Sequence, residues 1–270
     1  MDDQTPSSQL DLAQPRCRDI QVAPSIYIKL HENQYLDAIA GKMWEAAPFL
    51  VKQLSQHLRS QQSKSYFIIE LGAGTGYVSL ALAALMDSLN LDYDVYATDT
   101  TSALSLLRMN LAANNRLHLD TSLEAMESGH GRRHVKAVVL DWTCPEQSPL
   151  FSESLLSPGH FDEKWIIFSD CVYWRHLHAP LLQTLLYLMD AWSNDDVVVV
   201  VWFSYRQRSM EKESEFFLRL GVHFEMEVMG EDVDQQLVFV RCHRKATTGN
   251  AAYSETWWQL CLGRMDVFDA

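Results

Sequence analysis

Short apolar segments alternate with helical patterns over most of the chain, and this alternation limits the fold more than any other feature. Each apolar segment is too short for a helix and is followed by turn residues, so we expect a buried strand at each one. The segments between them repeat leucines three and four residues apart, which is typical of amphipathic helices. The predicted strands are residues 66–71, 94–98, 135–140, 165–169 and 197–203. Repeated strand–helix units predict an α/β fold with a doubly wound, Rossmann-like and mostly parallel sheet.

The pattern changes near the end of this region. Pro180 is predicted to begin a helix, and Gly221 is predicted to end the following one. Apolar residues then alternate strictly over residues 222–228, residues 230–234 form a predicted turn, and residues 237–242 form a return strand. An antiparallel C-terminal hairpin therefore completes a predicted seven-stranded sheet.

Three regions are expected along the chain. Residues 1–36 are polar and mixed, which predicts a loosely ordered or accessory N-terminal arm with a short strand at residues 25–30. Residues 37–243 form the predicted catalytic domain, and residues 244–270 form a C-terminal tail. Two polar stretches, 120–134 and 143–163, are predicted surface insertions.

Charge and hydropathy exclude some classes of protein. The 270 residues include 22 Lys+Arg and 35 Asp+Glu, for a formal net charge of −13. An acidic balance argues against direct nucleic-acid binding and suits a basic protein substrate. The longest apolar run, residues 197–203, is far shorter than the roughly 20 residues of a membrane span. The start MDDQTPSSQLDLAQPR lacks the regions of a secretory signal. We therefore expect a soluble, monomeric, cytoplasmic protein, with the nucleus as the alternative location.

The thiols and imidazoles predict no metal centre. The cysteines are odd in number, scattered and without a C-x-x-C pair: Cys17, Cys144, Cys171, Cys242 and Cys261. Reduced thiols in the cytosol or nucleus fit this arrangement better than a disulfide framework or a zinc site. His176 and His178 are close in sequence, and we expect a partly exposed loop pair there instead of metal ligands.

A glycine-rich segment, ELGAGTG at residues 70–76, directly follows the first predicted strand of the sheet and begins a helix. Glycines there let the backbone turn sharply and approach a ligand without a Cβ in the way. A dinucleotide site needs G-x-G-x-x-G, but the third position here is Tyr77, and no G-x-x-x-x-G-K-[ST] phosphate loop is present. E-x-G-x-G-x-G is the form typical of S-adenosylmethionine sites. A tight turn without a ligand is the structural alternative.

Acidic residues end the next two strands. Asp99 ends the second, where a carboxylate can accept hydrogen bonds from both hydroxyls of a ribose, although a helix cap is the alternative. Asp141 and Trp142 close the third, where a carboxylate can accept from an adenine amino group and an indole can cover the ring. Both positions strengthen the prediction of an adenosine site.

Ser169 and Asp170 end the fourth strand and are followed by Tyr173 and Trp174. This segment is predicted to lie beside the switch point of the sheet, adjacent to a methyl donor bound over the first strand. The alternative is that Asp170 caps a turn and Tyr173 fills the core.

These motifs together resemble the class I, seven-β-strand methyltransferases, specifically the family-16 group that contains many protein-lysine methyltransferases. The similar segments are GKMW at 41–44, ELGAGTG at 70–76, TD at 98–99, LDW at 140–142 and DCVYW at 170–174. The resemblance covers about residues 38–243, and neither the arm nor the tail has a counterpart.

The motifs and the resemblance together give the predicted site. The cofactor, S-adenosyl-L-methionine, is expected to contact Trp44, Glu70, Gly72, Ala73, Gly74, Gly76, Asp99, Asp141, Trp142 and Ser169. The resemblance implies that Asp170 and Tyr173 line the entrance for the acceptor amine and serve catalysis.

The resemblance implies a protein-lysine N-methyltransferase that acts on a translation-related or other cytosolic protein. Two alternatives stay open, because one fold supports many functions. One is a small-molecule N- or O-methyltransferase, and the other is a binding module without catalysis. Glu70, Asp99 and Asp170 are all present, which counts against the binding module.

Overall fold

The computed structural model describes residues 15–33, 39–60, 65–116, 132–151, 160–192 and 197–245. Its strands are β1 (Arg16–Ala23), β2 (Ile26–Glu32), β3 (Ser65–Leu71), β4 (Asp92–Asp99), β5 (Arg133–Val139), β6 (Glu163–Ser169), β7 (Val198–Arg206), β8 (Phe224–Asp232) and β9 (Leu237–Arg244). Its helices are α1 (Ala46–Ser60), α2 (Tyr77–Ser88), α3 (Leu104–Ala113), α4 (Arg175–Ala191) and α5 (Met210–His223), with short 3-10 turns at Pro145–Gln147 and Pro149–Phe151.

Seven of these strands form one sheet in the order β5-β4-β3-β6-β7-β9-β8. The strands from β5 to β7 in this order pair in parallel, whereas β9 is antiparallel to both β7 and β8. The predicted doubly wound sheet with an antiparallel C-terminal hairpin is confirmed. Because β3 lies between β4 and β6, the order reverses there, and a crevice is expected at the carboxyl ends of these three strands.

The sheet is buried on both faces. Successive residues of β3 show this, because Ile68 belongs to the core beneath α1, α2 and α3, whereas Phe67 and Ile69 belong to the core beneath α4 and α5. Two buried faces explain why the parallel strands appear in the sequence as continuous apolar runs instead of alternating ones.

The N-terminal arm departs from its prediction. Residues 16–32 are not loosely ordered; β1 and β2 form an antiparallel hairpin, and β2 includes most of the strand predicted at residues 25–30. Two asparagines of α3 act as the partner of β2. Asn114 pairs with the N–H and C=O of Lys29 at 2.8 and 2.7 Å, and Asn110 pairs with those of His31 at 2.6 and 2.9 Å. A helical spacing of four residues and a strand spacing of two are similar lengths, about 6 and 6.7 Å, so the two amides match alternate residues of the strand.

Three helix and turn boundaries also differ. Pro180 does not begin a helix but lies inside α4, near its start. α5 continues past Gly221 to His223, so Val222 is helical and β8 begins at Phe224. Strand β8 extends to Asp232, so the turn follows that residue instead of beginning at Gly230.

The histidine pair is also placed differently from its prediction. His176 and His178 lie in the first turn of α4, not in a loop, and His178 is buried with its ring 5.5 Å from that of Phe216.

In the described ranges, no group of three or more His, Cys, Asp or Glu side chains could hold a metal ion. None of the described helices is both long and apolar enough to cross a membrane. Cys17, Cys144, Cys171 and Cys242 are free thiols.

Residues 117–131, 152–159 and 246–270, which include parts of both predicted insertions and almost all of the predicted tail, lie outside the described residues, as does Cys261.

Candidate active site

A cavity of about 740 Å³ opens at the carboxyl edge of the sheet. It brings together all the site residues predicted from the sequence except Gly76. Those that line it are Trp44, Glu70, Gly72, Ala73, Gly74, Asp99, Asp141, Trp142, Ser169, Asp170 and Tyr173. Some other lining residues were not predicted from the sequence as site residues, among them Lys42, Thr100, Cys171 and His176.

The glycine loop after β3 has space for a backbone but not for side chains. Gly72 and Gly74 have φ values of +66° and +53°, a region that favours glycine. A Cβ at Gly72 would lie 2.9 Å from Sγ of Cys171, and one at Gly74 would lie 3.0 Å from the carbonyl oxygen of Ala40. The loop therefore forms a narrow cradle on the cavity wall.

Gly76 serves packing instead. A Cβ there would collide with the side chain of Leu107 on α3, and Gly76 does not line the cavity. The sequence motif alone could not separate this glycine from the two that line the cavity.

Asp99 connects the end of β4 to the glycine loop. Its Oδ2 accepts a hydrogen bond of 2.7 Å from the N–H of Gly74, and its Oδ1 accepts one of 2.7 Å from the N–H of Thr100. A carboxylate has about four lone-pair sites, so these bonds leave acceptor capacity for hydroxyl groups in the cavity. The geometry fits the predicted ribose acceptor.

Glu70 lies beneath the loop and is buried. Its Oε2 accepts hydrogen bonds from the N–H of Ser79, at 3.0 Å, and from the Ser79 hydroxyl. Burial raises the pKa of the Glu70 carboxyl to about 8, which exceeds the lowering effect of these hydrogen bonds. The carboxyl thus holds the start of α2 against β3 and is mostly protonated at neutral pH.

Asp141 and Trp142 follow β5 on the same edge. Oδ1 of Asp141 accepts hydrogen bonds from the N–H and hydroxyl of Thr143, at 2.9 and 2.7 Å. The Trp142 ring packs over Gly72, since a Cβ on that glycine would lie 3.1 Å from the ring. The Trp142 indole, which was predicted to cover the adenine ring, therefore lies against the glycine loop.

The segment before α1 also lines the cavity. The indole N–H of Trp44 donates to the carbonyl of Ile39 at 2.8 Å, and Nζ of Lys42 lies 3.7 Å from the centre of the Trp44 ring. The N-terminal hairpin supports this segment, because a carboxylate oxygen of Glu32 accepts from the N–H of Met43 at 2.8 Å. The hairpin is thus connected to the cavity wall.

At the end of β6, Asp170 has a cation partner that the sequence analysis did not foresee. Arg208 donates to both of its carboxylate oxygens at 2.6 Å, and the N–H of Arg206 donates to Oδ1 at 3.2 Å. Asp170 has a φ of +57°, which is uncommon for a residue other than glycine and is often found at functional sites. Its N–H donates to the carbonyl of Ser204 on β7, which fixes the backbone.

Aromatic side chains border Asp170. The rings of Tyr173 and Trp174 lie 5.1 Å apart, and Trp174 stacks on His176 at 5.4 Å. Burial raises the pKa of the Tyr173 hydroxyl, so that this group stays neutral at physiological pH. Trp174 is 49% exposed and marks the rim of the cavity.

Arg208 lies 38 residues after Asp170, in the loop that follows β7, and no motif includes it. One signal was present in the sequence. Polar residues that directly follow parallel strands collect at one edge of a sheet, and Arg206 and Arg208 follow the predicted strand at 197–203.

Comparisons with known proteins show which family the chain is similar to. A family model described as lysine methyltransferase matches residues 23–222. The protein N-lysine methyltransferase METTL21A of Mus musculus is 28% identical over 218 residues, which are 81% of this chain and 84% of that protein. The protein-lysine N-methyltransferase rrg1 of Schizosaccharomyces pombe is 25% identical over 227 residues, which are 83% of this chain and 67% of that protein. Among solved structures, the SAH-bound methyltransferase PaMTH1 of Podospora anserina is 12% identical with a TM-score of 0.43, covering 79% of this chain and 83% of that one.

Proposed function

This chain belongs to the lysine methyltransferase family and is an S-adenosylmethionine-dependent methyltransferase, and we propose that its acceptor is the ε-amino group of a lysine in a protein. One observation carries the proposal. A single cavity is lined both by the glycine loop with Asp99, called the donor end, and by Asp170 with Tyr173, called the acceptor end. These two ends suit a methyl donor and an amine acceptor.

The donor end fits S-adenosylmethionine, whose bound form supplies an electrophilic methyl group on a sulfonium. Asp99 would hold the ribose, Trp142 would cover the adenine, and the cradle at Gly72 and Gly74 would admit the rest of the molecule. The loop suits this ligand because its glycine spacing is not that of a dinucleotide or phosphate site.

The acceptor end aligns and desolvates the amine, which are the main tasks of an enzyme in an in-line displacement. A lysine amine with an ordinary pKa of about 10.4 must lose a proton before it attacks. Asp170 can accept an N–H from the amine, and the rings of Tyr173 and Trp174 suit a cationic or methylated amine through cation–π contacts.

A protein is proposed as the acceptor, and the rim supports this. Trp174 is half exposed and stacks on His176, which offers an aromatic surface for a polypeptide on either side of the inserted lysine. The net charge of −13 favours basic partners such as proteins of the translation machinery. We further propose that the enzyme acts as a monomer in the cytosol, or in the nucleus, without binding nucleic acid directly.

The proposal is tested by comparing lysine methylation by mass spectrometry in cells with and without this protein. We expect one or a few lysines to lose methylation, and to regain it with the wild-type chain but not with Asp99→Ala. Purified protein should bind S-adenosylmethionine, and not NAD, in calorimetry. Unchanged lysine methylation together with intact cofactor binding would instead favour a small-molecule acceptor. Absence of cofactor binding would favour a binding module.

A further inference from the structure

The carboxylate at the acceptor end is already paired within the chain. Arg208 forms a bidentate ion pair with Asp170, whose side chain is 5% exposed, while the Arg208 side chain is 37% exposed. The Arg208 guanidinium also lies 5.6 Å from the centre of the Trp44 ring, so it bridges two walls of the cavity. Planar bidentate pairs of this kind are among the strongest and most specific charged hydrogen bonds in proteins.

Some of the charged groups near this pair are themselves paired or hydrogen-bonded. Arg206 lies 3.7 Å from Glu45, which makes a second pair beside the first. Glu213 accepts from the N–H groups of Arg208 and Ser209, and burial raises the pKa of its carboxyl. The charges of Asp99 and Asp170 both act on Cys171 and Tyr173, and burial keeps the thiol and the phenol neutral.

The pairing of Asp170 with Arg208 matters for a lysine acceptor. An unpaired carboxylate beside a bound ammonium would stabilise the charged form, which has no lone pair for attack. A carboxylate neutralised by a guanidinium removes that stabilisation but keeps an acceptor oxygen, since Oδ2 of Asp170 receives one hydrogen bond from Arg208 and has lone-pair capacity for another. The pair can therefore orient an amine without holding its extra proton.

We propose that Arg208 is a positioning residue that neutralises Asp170, so that the acceptor amine is held in its uncharged, nucleophilic form. The proton of the incoming ammonium passes to water as the amine enters. This inference rests on the proposed function, because it takes the cavity end at Asp170 as the place where the amine binds.

The test uses a cofactor analogue in place of an unidentified substrate. In this analogue a tertiary nitrogen replaces the sulfonium and carries a four-carbon arm that ends in a primary amine. A matched analogue carries an arm that ends in a methyl group. Calorimetry at pH 8 in buffers of different ionisation enthalpy gives the number of protons released on binding, and the difference between the two analogues counts the proton lost by the terminal amine.

We expect a difference of about one proton in the wild type, because a free primary amine is charged at pH 8. The difference should fall to well under half in Arg208→Gln, where the unpaired carboxylate retains the ammonium. Arg208→Lys keeps the charge and should restore most of the difference. A melting temperature for each variant confirms that the protein is folded, and a purely structural role of Arg208 would change that temperature without changing the proton count.

Equal proton counts in wild type and Arg208→Gln, with both analogues bound, would overturn the role of Arg208 alone. Failure of the wild type to bind S-adenosylmethionine would overturn the proposed function, and this inference with it.

Discussion

The donor end of the cavity is joined through a backbone group, whereas the acceptor end is joined through a pair of side chains. The glycine loop at residues 72–76 and Asp99 belong to consecutive strand–helix units, and they are joined mainly by backbone groups such as the N–H of Gly74. Asp170 and Arg208 belong to loops after different strands and are joined by side chains. Backbone geometry leaves a spacing pattern in the sequence, and a side-chain pair does not.

The two ends also stabilise a buried carboxyl in different ways. Glu70 has neutral donors, the N–H and hydroxyl of Ser79, and burial raises the pKa of its carboxyl to about 8. Asp170 instead has a guanidinium. A carboxylate loses its stabilising hydration when it is buried. Neutral hydrogen-bond donors replace only part of that stabilisation, whereas a paired guanidinium replaces much more of it. The donor end is therefore expected to change with pH, because the Glu70 carboxyl titrates. The acceptor end is expected to change when the charge of the Asp170–Arg208 pair is removed.

The largest effect is expected from Asp170→Asn, which tests the acceptor end. This change keeps the shape but removes the charge, so turnover should fall by about 30- to 1000-fold, or about 2–4 kcal/mol, while cofactor affinity changes little. Because Arg208 would lose its ionic partner, the free energy of unfolding should also fall, by about 1–2 kcal/mol after allowing for the solvent exposure of Arg208.

Turnover with the substrate protein, cofactor affinity and unfolding should be measured on the same preparation. Asp190→Asn, which removes a carboxylate paired with Arg244 at 3.3 Å outside the cavity, is the control and should keep normal turnover. Normal turnover in a well-folded Asp170→Asn protein would remove this residue from the mechanism.

At the donor end, Gly74→Ala is expected to weaken cofactor binding. Its Cβ would meet the backbone carbonyl of Ala40 at 3.0 Å, and its φ of +53° is strained for alanine. Cofactor affinity should therefore fall by about 100-fold, or about 3 kcal/mol. Gly221→Ala is a matched control, because its nearest contact is the flexible end of Met226 at 3.3 Å. Comparable affinities of the two variants would mean that the loop does not form the cradle.

Much of the architecture could be predicted because it depends on local patterns. The strand runs around Phe67 and Ile166 are continuous and apolar, since both faces of the sheet are covered, and this pattern survives in a single sequence. The N-terminal hairpin could not be predicted in the same way. Strand β2 is held by Asn110 and Asn114, which are about 80 residues away, and side-chain amides leave no periodic signal.

The site shows the same division. Gly72 was predicted from the spacing of the glycine motif and Asp99 from its place at the end of the second strand, and the cavity includes both. Gly76 was predicted to contact the ligand, but it packs on Leu107. The motif requires glycine for two different reasons, close approach of a ligand and close packing of a helix, and the sequence does not tell them apart. The sequence places Arg208 after a predicted strand, but its pairing with Asp170 became visible when β6 and β7 were placed side by side.

A smaller effect is expected from Asp99→Ala, which tests whether this carboxylate binds the ribose at the donor end. Loss of a charged acceptor should weaken S-adenosylmethionine binding by about 1.5–3 kcal/mol. The N–H of Gly74 loses its partner at the same time, so part of this cost is a looser loop. Asp92→Ala, at the other end of strand β4, is the control and should bind the cofactor normally in calorimetry. Equal affinities of the two variants would show that the ribose lies elsewhere.

The smallest effect is expected from Glu70→Gln, and it tests the contrast between the two carboxyls through pH. Because the pKa of Glu70 rises from 4.5 to about 8 on folding, the folded state binds more protons than the unfolded state between these values. The associated stability is complete below about pH 4.5 and is lost as the pH rises through 8. Between pH 6 and 8 the wild type should therefore lose about 2 kcal/mol relative to Glu70→Gln, in which the amide oxygen still accepts from Ser79 and does not titrate.

Urea unfolding of both proteins at several pH values measures this difference, and contributions from histidines cancel because both proteins contain them. Ser79→Ala tests the cause. Its hydroxyl donates to the Glu70 carboxylate and lowers the pKa, so its removal should move the loss of stability to higher pH. Parallel stability curves for wild type and Glu70→Gln would mean that the Glu70 carboxyl is ionised in the folded protein, as the Asp170 carboxylate is in its pair with Arg208. The two ends of the cavity would then hold their carboxyls in the same charge state, and the contrast drawn between neutral donors and a guanidinium would fail.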